Sequence, residues 1–388
     1  MNGRLRPVMI LVLAALPSAH AGATSVAQCT LDQVHRDPQS VIEPCSATIG
    51  NGAASAKDRG FALFIRGMGY HNTKRFDLAR EDYDAAIKLT PGNEELLASR
   101  ANISARAGDV EEEVTFLQKA LDLNPKNGHA LRSMGALLND SGQREQAERF
   151  YTMALEVDPK DAYALLFRSK NYTKRRDFAN ALKDADALVS MPAAEINLQG
   201  YLDGYGDRLD FHIVALKNRS RIHDRMGRSD LAEADLRAAV DYSRCDLSLS
   251  ALGEFLANKS GREDDALGDL DEAIRLGSHS AQTYYAKGQV LLGKNERRDA
   301  LLAFNQAGSL DPYFGEAFLM RARLHREFGE TDAAVDDIAR AIAVDPDMRD
   351  QTMGSLRRFG YWRSGAPDSL TPELTDALRA CMLDERCN

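Results

Sequence analysis

The chain has 388 residues and a formal net charge of −9, so it repels a phosphate backbone, which argues against nucleic acid as a general partner. Its 44% hydrophobic content is too high for disorder, and 28% charged with only 7% aromatic residues suits helical repeats. In chain order, Arg4 and Arg6 lead into an apolar run from Val8 to Leu16, then Pro17 and the triplet Ala19-His20-Ala21. A basic start, a short apolar core and an A-x-A site are the parts of a secretory signal peptide. As a helix the run rises about 14 Å, under half of a bilayer's hydrocarbon thickness. Residues 1–21 are therefore expected to direct export and be removed, leaving a periplasmic or a secreted protein. No later segment is long and apolar enough to span, so no permanent membrane insertion is expected. Cys29 is preceded by Gln28, where a lipoprotein signal wants a small residue.

Residues 22–59 are expected to cap the structure that follows. Asp37-Pro38 has the pattern of an N-cap and first helical residue, with Pro44 expected to kink that helix early. Five cysteines, Cys29, Cys45, Cys245, Cys381 and Cys387, sit in an export-competent chain, where oxidation favours disulfides. Proximity in sequence selects Cys29–Cys45 and Cys381–Cys387, leaving Cys245 as a small packed side chain.

Beyond residue 60 the chain is punctuated at one period. Pro91, Pro125 and Pro159 follow one another at a constant interval, and Pro312 and Pro346 repeat the same step. Each closes a similar phrase, such as IKLTP, LDLNP or LEVDP, and a proline cannot continue the helix before it. Small residues keep fixed offsets ahead of these prolines: Ala86, Ala120, Ala154, Ala307 and Ala341; Ala79, Ala147, Ala300 and Ala334; Gly67, Gly135 and Gly288. Between the prolines the apolar pattern is helical. The first period reads as one helix through Tyr70, a turn at Lys74-Arg75-Phe76 and a second helix from Asp77. Small side chains at matched offsets let two antiparallel helices approach closely.

With Gly67, Tyr70, Phe76, Ala79, Tyr83, Ala86 and Pro91 so spaced, the chain resembles the tetratricopeptide repeat family. The resemblance implies an all-α solenoid of helical hairpins, with repeats at 60–93, 94–127, 128–161 and 162–195, then 213–246, 247–280, 281–314 and 315–348. The surplus at 196–212 reads as an inserted loop, and 349–388 as a C-terminal cap. Arg66, Arg168, Arg219 and Arg321 share one repeat position, and each is followed at one fixed interval by an aspartate: Asp82, Asp184, Asp235 and Asp337. These are expected to be charge-assisted pairs joining the two helices of a repeat. The second repeat departs with Arg100 and Phe116, the sixth with Gly253 and Asp269.

No catalytic signature is present: no phosphate loop, G-x-S-x-G elbow, C-x-x-C or H-E-x-x-H pair. Lone histidines such as His71, His129, His223 and His325 read as surface or packed side chains. No metal or cofactor is implied. The resemblance places binding on the first helix of each repeat, where the inner offsets give Lys170 and Lys174 in the fourth repeat and Lys217, Arg221 and Arg225 in the fifth. Five cations on an acidic chain suit an acidic or C-terminal peptide segment, with a solvated face as the alternative. Of the carboxylate-clamp residues that some family members use, Asn102 alone matches a position. The tail, with Leu356, Gly360, Tyr361, Asp368, Pro372, Ala377 and Leu378, resembles a shortened peptidoglycan-binding module. It departs at Ser369, where a glycine is usual, and at Cys381, where an aromatic is.

The reading is thus a non-catalytic periplasmic scaffold or adaptor that binds proteins or peptides. The alternatives are a wall-associated factor whose tail contacts peptidoglycan and an enzyme with an unrecognised site. Mass spectrometry of the exported protein is expected to show an N-terminus at Gly22. Retention of Met1, or a lipid on Cys29, would overturn that expectation.

Overall fold

The computed structural model describes residues 29–192, 211–363 and 371–384. The signal segment 1–21, positions 196–210 of the expected insertion, Asp368 and Cys387 lie outside the described residues. The chain divides into two compact units, one holding residues 29–176 and the other 177–192, 211–363 and 371–384. Both are all-α, with 20 helices and no strand among the described residues. None of these helices is long and apolar enough to cross a membrane.

In the first unit, α1 (Leu31–Arg36) and α2 (Ile42–Gly50) precede the antiparallel pairs α3 (Ala56–Asn72) with α4 (Phe76–Leu89), α5 (Glu94–Ala107) with α6 (Val110–Leu123), and α7 (Gly128–Asp140) with α8 (Arg144–Val157). Then comes α9 (Ala162–Lys174). The second unit opens on α10 (Phe178–Ser190). It continues with the pairs α11 (Phe211–Arg225) and α12 (Ser229–Tyr242), α13 (Asp246–Leu256) and α14 (Glu263–Arg275), α15 (Ala281–Gly293) and α16 (Arg297–Leu310), and α17 (Gly315–Glu327) and α18 (Thr331–Val344). It closes on α19 (Pro346–Arg358) and α20 (Pro372–Leu383). The second helices begin at Phe76, Val110, Arg144 and Phe178, then at Ser229, Glu263, Arg297 and Thr331, with one constant step inside each set. From Phe178 to Ser229 the step is one and a half periods. Phe211 and His212, placed by sequence in the insertion, instead open α11.

Local chemistry explains this punctuation. Asn93, Asn127, Asp161 and Ser280 cap α5, α7, α9 and α15, each side-chain oxygen accepting a backbone N–H of the first turn. The turn inside each hairpin needs one left-handed residue. Gly108 and Gly142 supply it without cost, whereas Lys74, Arg176 and Asn295 adopt it at φ 62°, 63° and 67°.

The hairpins close on small residues. Ala86, Ala120, Ala154, Ala307 and Ala341 are fully buried, as are Ala79, Ala147, Ala300 and Ala334. A Cβ on Gly67 would stand 2.5 Å from the Tyr83 ring, and one on Gly135 or Gly288 would stand 2.6 Å from Tyr151 or Phe304. A ring of the second helix thus lies directly on the backbone of the first.

Three of the expected ion pairs are forks. Arg66 donates through Nε and Nη2 to Asp82 at 2.7 and 2.7 Å, and Arg219 to Asp235 at 3.0 and 2.7 Å. Arg321 grips Asp337 in the same way. All three aspartate side chains are buried. Each arginine's Nη1 reaches back to the element before: Ser46 at 2.9 Å, Asp186 at 2.9 Å and Asn305 at 3.1 Å respectively. Of the fourth pair, Arg168 belongs to the first unit, where it donates to Thr152 Oγ1 at 3.1 Å, and Asp184 to the second.

The second and sixth repeats obey the same chemistry, while the third carries Met134 and Phe150 at these positions and the seventh Lys287 and Ala303. Phe116 offers Arg100 no carboxylate, so its Nη1 and Nη2 turn to Glu112 at 3.1 and 2.9 Å and its Nε to Asp84 of α4 at 2.7 Å. The guanidinium lies 4.9 Å from the centre of the Phe116 ring. Gly253 leaves Asp269 without an arginine on the facing helix; burial outweighs the attraction of Arg244 and Arg237 and pushes its carboxyl pKa up.

The ends differ in part from the sequence reading. Asp37-Pro38 does not start a helix: α1 is capped by Thr30, Asp37 ends it, and a turn follows before α2. Pro44 does not kink α2 either, because it sits in the first turn, where a missing N–H breaks no bond. Cys29 and Cys45 form a disulfide that ties the start of this segment to α2, and both lie in the core beneath α3. Cys245 is the free cysteine among the described residues, half-buried beside Ser248 rather than sealed in a core. At the other end Leu356, Ala377 and Leu378 are buried with Val335 and Ile342 of α18. Three residues of the glycan-module resemblance thus serve as core.

Asp337→Asn is expected to cost about 1–3 kcal/mol, because Arg321 then faces a neutral amide where a carboxylate stood. Denaturant unfolding of the two proteins checks this, and an unchanged midpoint would remove the fork from the account of stability.

Candidate functional site

The five inner cations fall into two sets. Lys170 and Lys174 stand on α9 in the first unit, Lys170 with its ammonium 4.6 Å from the centre of the Phe167 ring and Lys174 exposed. Lys217, Arg221 and Arg225 stand on α11 in the second, at i, i+4 and i+8 and hence on one helix face. Lys217 has Glu254 at 3.8 Å. Arg221 and Arg225 are exposed and make no ion pair with a described residue.

The first unit holds a cleft of about 510 Å³ lined mainly by α5, α6 and α7. Its polar walls include Asn102, Glu113, His129, Arg132, Ser133 and Asp140, with Ala105, Val110 and Leu137 as apolar lining. Most of these groups are held by one another. His129 Nδ1 lies 2.7 Å from Glu95 Oε1, and His129 Nε2 lies 2.9 Å from Asn102 Nδ2. Donation from Nδ1 leaves Nε2 to accept the Asn102 amide, and Ser133 donates to Asn102 Oδ1 at 3.4 Å. Arg132 donates to Asp161 at 2.7 Å.

Two carboxyls of this region are displaced in opposite directions. Burial favours the neutral form of Glu95, but His129, Asn127 and the Arg132 charge outweigh it and bring its pKa down to about 2. The Glu95 side chain is 49% exposed, so solvent screens its pairing with His129. Glu113 is the reverse. It is only 7% exposed, it makes no side-chain hydrogen bond or ion pair with a described residue, and it lines the cleft. Burial, with the charge of Asp140 added, pushes its carboxyl up to about 7.

Sequence reasoning passed over Glu95 and Glu113 and read His129 only as a surface or packed side chain. The signal for two of them was the period itself: Glu95, His129 and Tyr163 follow one another at the proline interval and so occupy one position in three successive first helices. Glu113 gave none, since a glutamate in the acidic first turn of α6 reads as a solvated face. The same period also relates the two sets of cations to the cleft. Two and a half periods before Lys217, Arg221 and Arg225 stand Arg132, Ala136 and Asp140, all three of which line it. Lys170 and Lys174 share the positions of Ala136 and Asp140, one period later.

A carboxyl raised from 4.5 to about 7 keeps its proton in the folded state at pH values where the unfolded chain has lost it. Stability that is complete below the unfolded value is therefore lost as pH rises through the folded one. Glu113→Gln removes that loss. Its melting temperature is expected to exceed wild type above about pH 8, by no more than about 3 kcal/mol in stability, and to match it near pH 4. Equal melting at both pH values would show that Glu113 titrates normally.

Comparisons with known proteins agree with this architecture. A family model for the tetratricopeptide repeat matches residues 68–128 and 285–349, one stretch in each unit. Tetratricopeptide repeat protein 33 of Xenopus laevis is 34% identical over 94 residues, and the match takes in 24% of this chain and 36% of that protein. Among solved structures, a tetratricopeptide repeat protein from Parabacteroides merdae is similar at a TM-score of 0.52 and 19% identity, over 68% of this chain and 98% of that one. The Cut9–Hcn1 hetero-tetramer of the APC/C is similar at 0.51 and 14% identity, over 94% of this chain and 64% of that one; at these identities the likeness is one of fold. With the periodic hairpins and the buried small residues, these matches identify tetratricopeptide repeats in each of the two units.

Proposed function

We propose that this protein is an exported, periplasmic and non-catalytic scaffold that holds an acidic segment of a partner protein against α11, through Lys217, Arg221 and Arg225. Tetratricopeptide repeats indicate a protein–protein interaction scaffold; the compartment, the face and the chemistry of the segment are this reading's own. One observation carries it. The positions of these three cations are, in the third repeat, positions that line an open cleft, and here two of them present guanidinium groups with no partner among the described residues. A protein of net charge −9 that leaves arginines unpaired on one helix face offers an acidic chain charge-assisted hydrogen bonds. The charge pattern at residues 1–21 supports export.

Reversing both Arg221 and Arg225 to glutamate is expected to leave helix content and melting unchanged, because exposed charges contribute little to stability. A fluorescein-labelled glutamate-rich peptide should bind wild type with an affinity that falls as salt is added. It should bind the double variant roughly tenfold or more weakly, the effect of losing about 1.4 kcal/mol of contact. Equal binding to both proteins would reduce the face to solvated charge.

A further inference from the structure

The first unit presents a cavity of the opposite character. We propose that the cleft between α5, α6 and α7 binds a lysine side chain of a partner protein, with its ammonium on the Glu113 carboxylate. This goes beyond the reading of α11: it concerns another unit and a ligand of opposite charge.

Glu113 is the reason. A glutamate whose residue is only 7% exposed normally has a hydrogen-bond partner or a counter-ion, because desolvating an unpaired charge is costly. Glu113 has neither among the described residues, yet it opens on a cavity of about 510 Å³. The charges around it are otherwise committed or negative. From α5, Arg106 also lines the cleft, with its guanidinium 4.5 Å from the centre of the Phe76 ring. On α6 itself, Asp109 caps the helix and Glu112 holds Arg100. From α7, His129 is bound to Glu95 and Asn102, and Arg132 to Asp161. Asp140, also from α7, makes no ion pair with a described residue and adds negative charge at Glu113. The unsatisfied groups of the cleft are therefore two carboxylates.

A cation is the complement of such a site, and the shape favours lysine. An ammonium is compact and carries its three donors on one atom, which two nearby carboxylates can share, whereas a guanidinium spreads five donors around a wider planar fork. Its aliphatic stem would lie along Ala105, Val110 and Leu137. Asn102, bonded to His129, and Ser133, bonded to Asn102, also line the cleft and offer polar groups to the backbone of the same segment. In the empty cleft Glu113 is held near neutrality by burial, and the arriving ammonium restores its charged form.

The test uses the full-length exported protein and a fluorescein-labelled glycine–serine octapeptide carrying two lysines, with the same octapeptide lacking both lysines as a neutral control. The lysine peptide should bind roughly tenfold more tightly at about pH 8 than at about pH 5.5, following ionisation of Glu113. Glu113→Gln should abolish that pH dependence and lower affinity to the level of the neutral peptide. Reversal of Arg221 and Arg225 should leave it untouched, which separates a failure here from a failure of the α11 reading. A further measurement needs no variant: the carbon-13 signal of the Glu113 carboxyl in wild type should titrate at lower pH when the lysine peptide is bound. Binding of the lysine peptide that is independent of pH and unaffected by Glu113→Gln would overturn the proposal. So would equal binding of the two peptides, or a Glu113 titration that the lysine peptide does not move.

Discussion

The arrangement of these hairpins depends on how an arginine on a first helix is satisfied. Its guanidinium points into the seam between two helices, where water is scarce and a lone charge is untenable. In three repeats an aspartate on the second helix takes two of its donors, and a polar side chain from the preceding element takes a third. One side chain therefore fixes both the closure of its own hairpin and the stacking on the element before. The second repeat shows that the requirement is electrostatic rather than positional, since Arg100 finds Glu112 and Asp84 when Phe116 replaces the aspartate. The sixth shows the converse, with Asp269 held above its usual pKa once Gly253 removes the arginine.

The fork constrains where function can reside. The forked hairpins spend buried charge on the seam, and three hairpins set a ring of the second helix on a glycine of the first. What remains variable is the face of the first helices, whose polar groups stack at one period. On α11 that face leaves two guanidinium groups without an ion pair among the described residues, and in the first-unit cleft it leaves Asp140, beside Glu113 of the second helix α6. Asp140 and Arg225 occupy equivalent repeat positions with opposite charge, a change a repeat scaffold can make without touching its seams.

The two ends satisfy a different requirement. A terminal hairpin exposes an apolar flank that no further repeat covers. At the N-terminus α1 and α2 cover it, and the Cys29–Cys45 bond holds together a segment too short to build a core of its own. At the C-terminus α19 and α20 bury Met353, Leu356, Leu374 and Leu378 against α18. The fragmentary wall-binding pattern there coincides with this packing: Leu356, Ala377 and Leu378 are apolar because they are core.

Much of this was legible in the residues alone, because a repeat writes its contacts at one fixed spacing. The prolines, the alanines ahead of them and the constant arginine–aspartate interval report helix ends, helix contacts and the fork without further information. Those features are local to one hairpin. The start of α1, the harmless place of Pro44 and the inclusion of Phe211 in α11 were not legible, since each depends on where a chain segment meets its neighbour. The state of Glu113 was also a matter for the tertiary structure. Nothing in its sequence context distinguishes it from Glu111 or Glu112, yet one is solvated, one grips an arginine and one lies buried at the edge of a cleft. Sequence determines which residues recur; only packing decides which of three adjacent glutamates is buried without a counter-ion among the described residues.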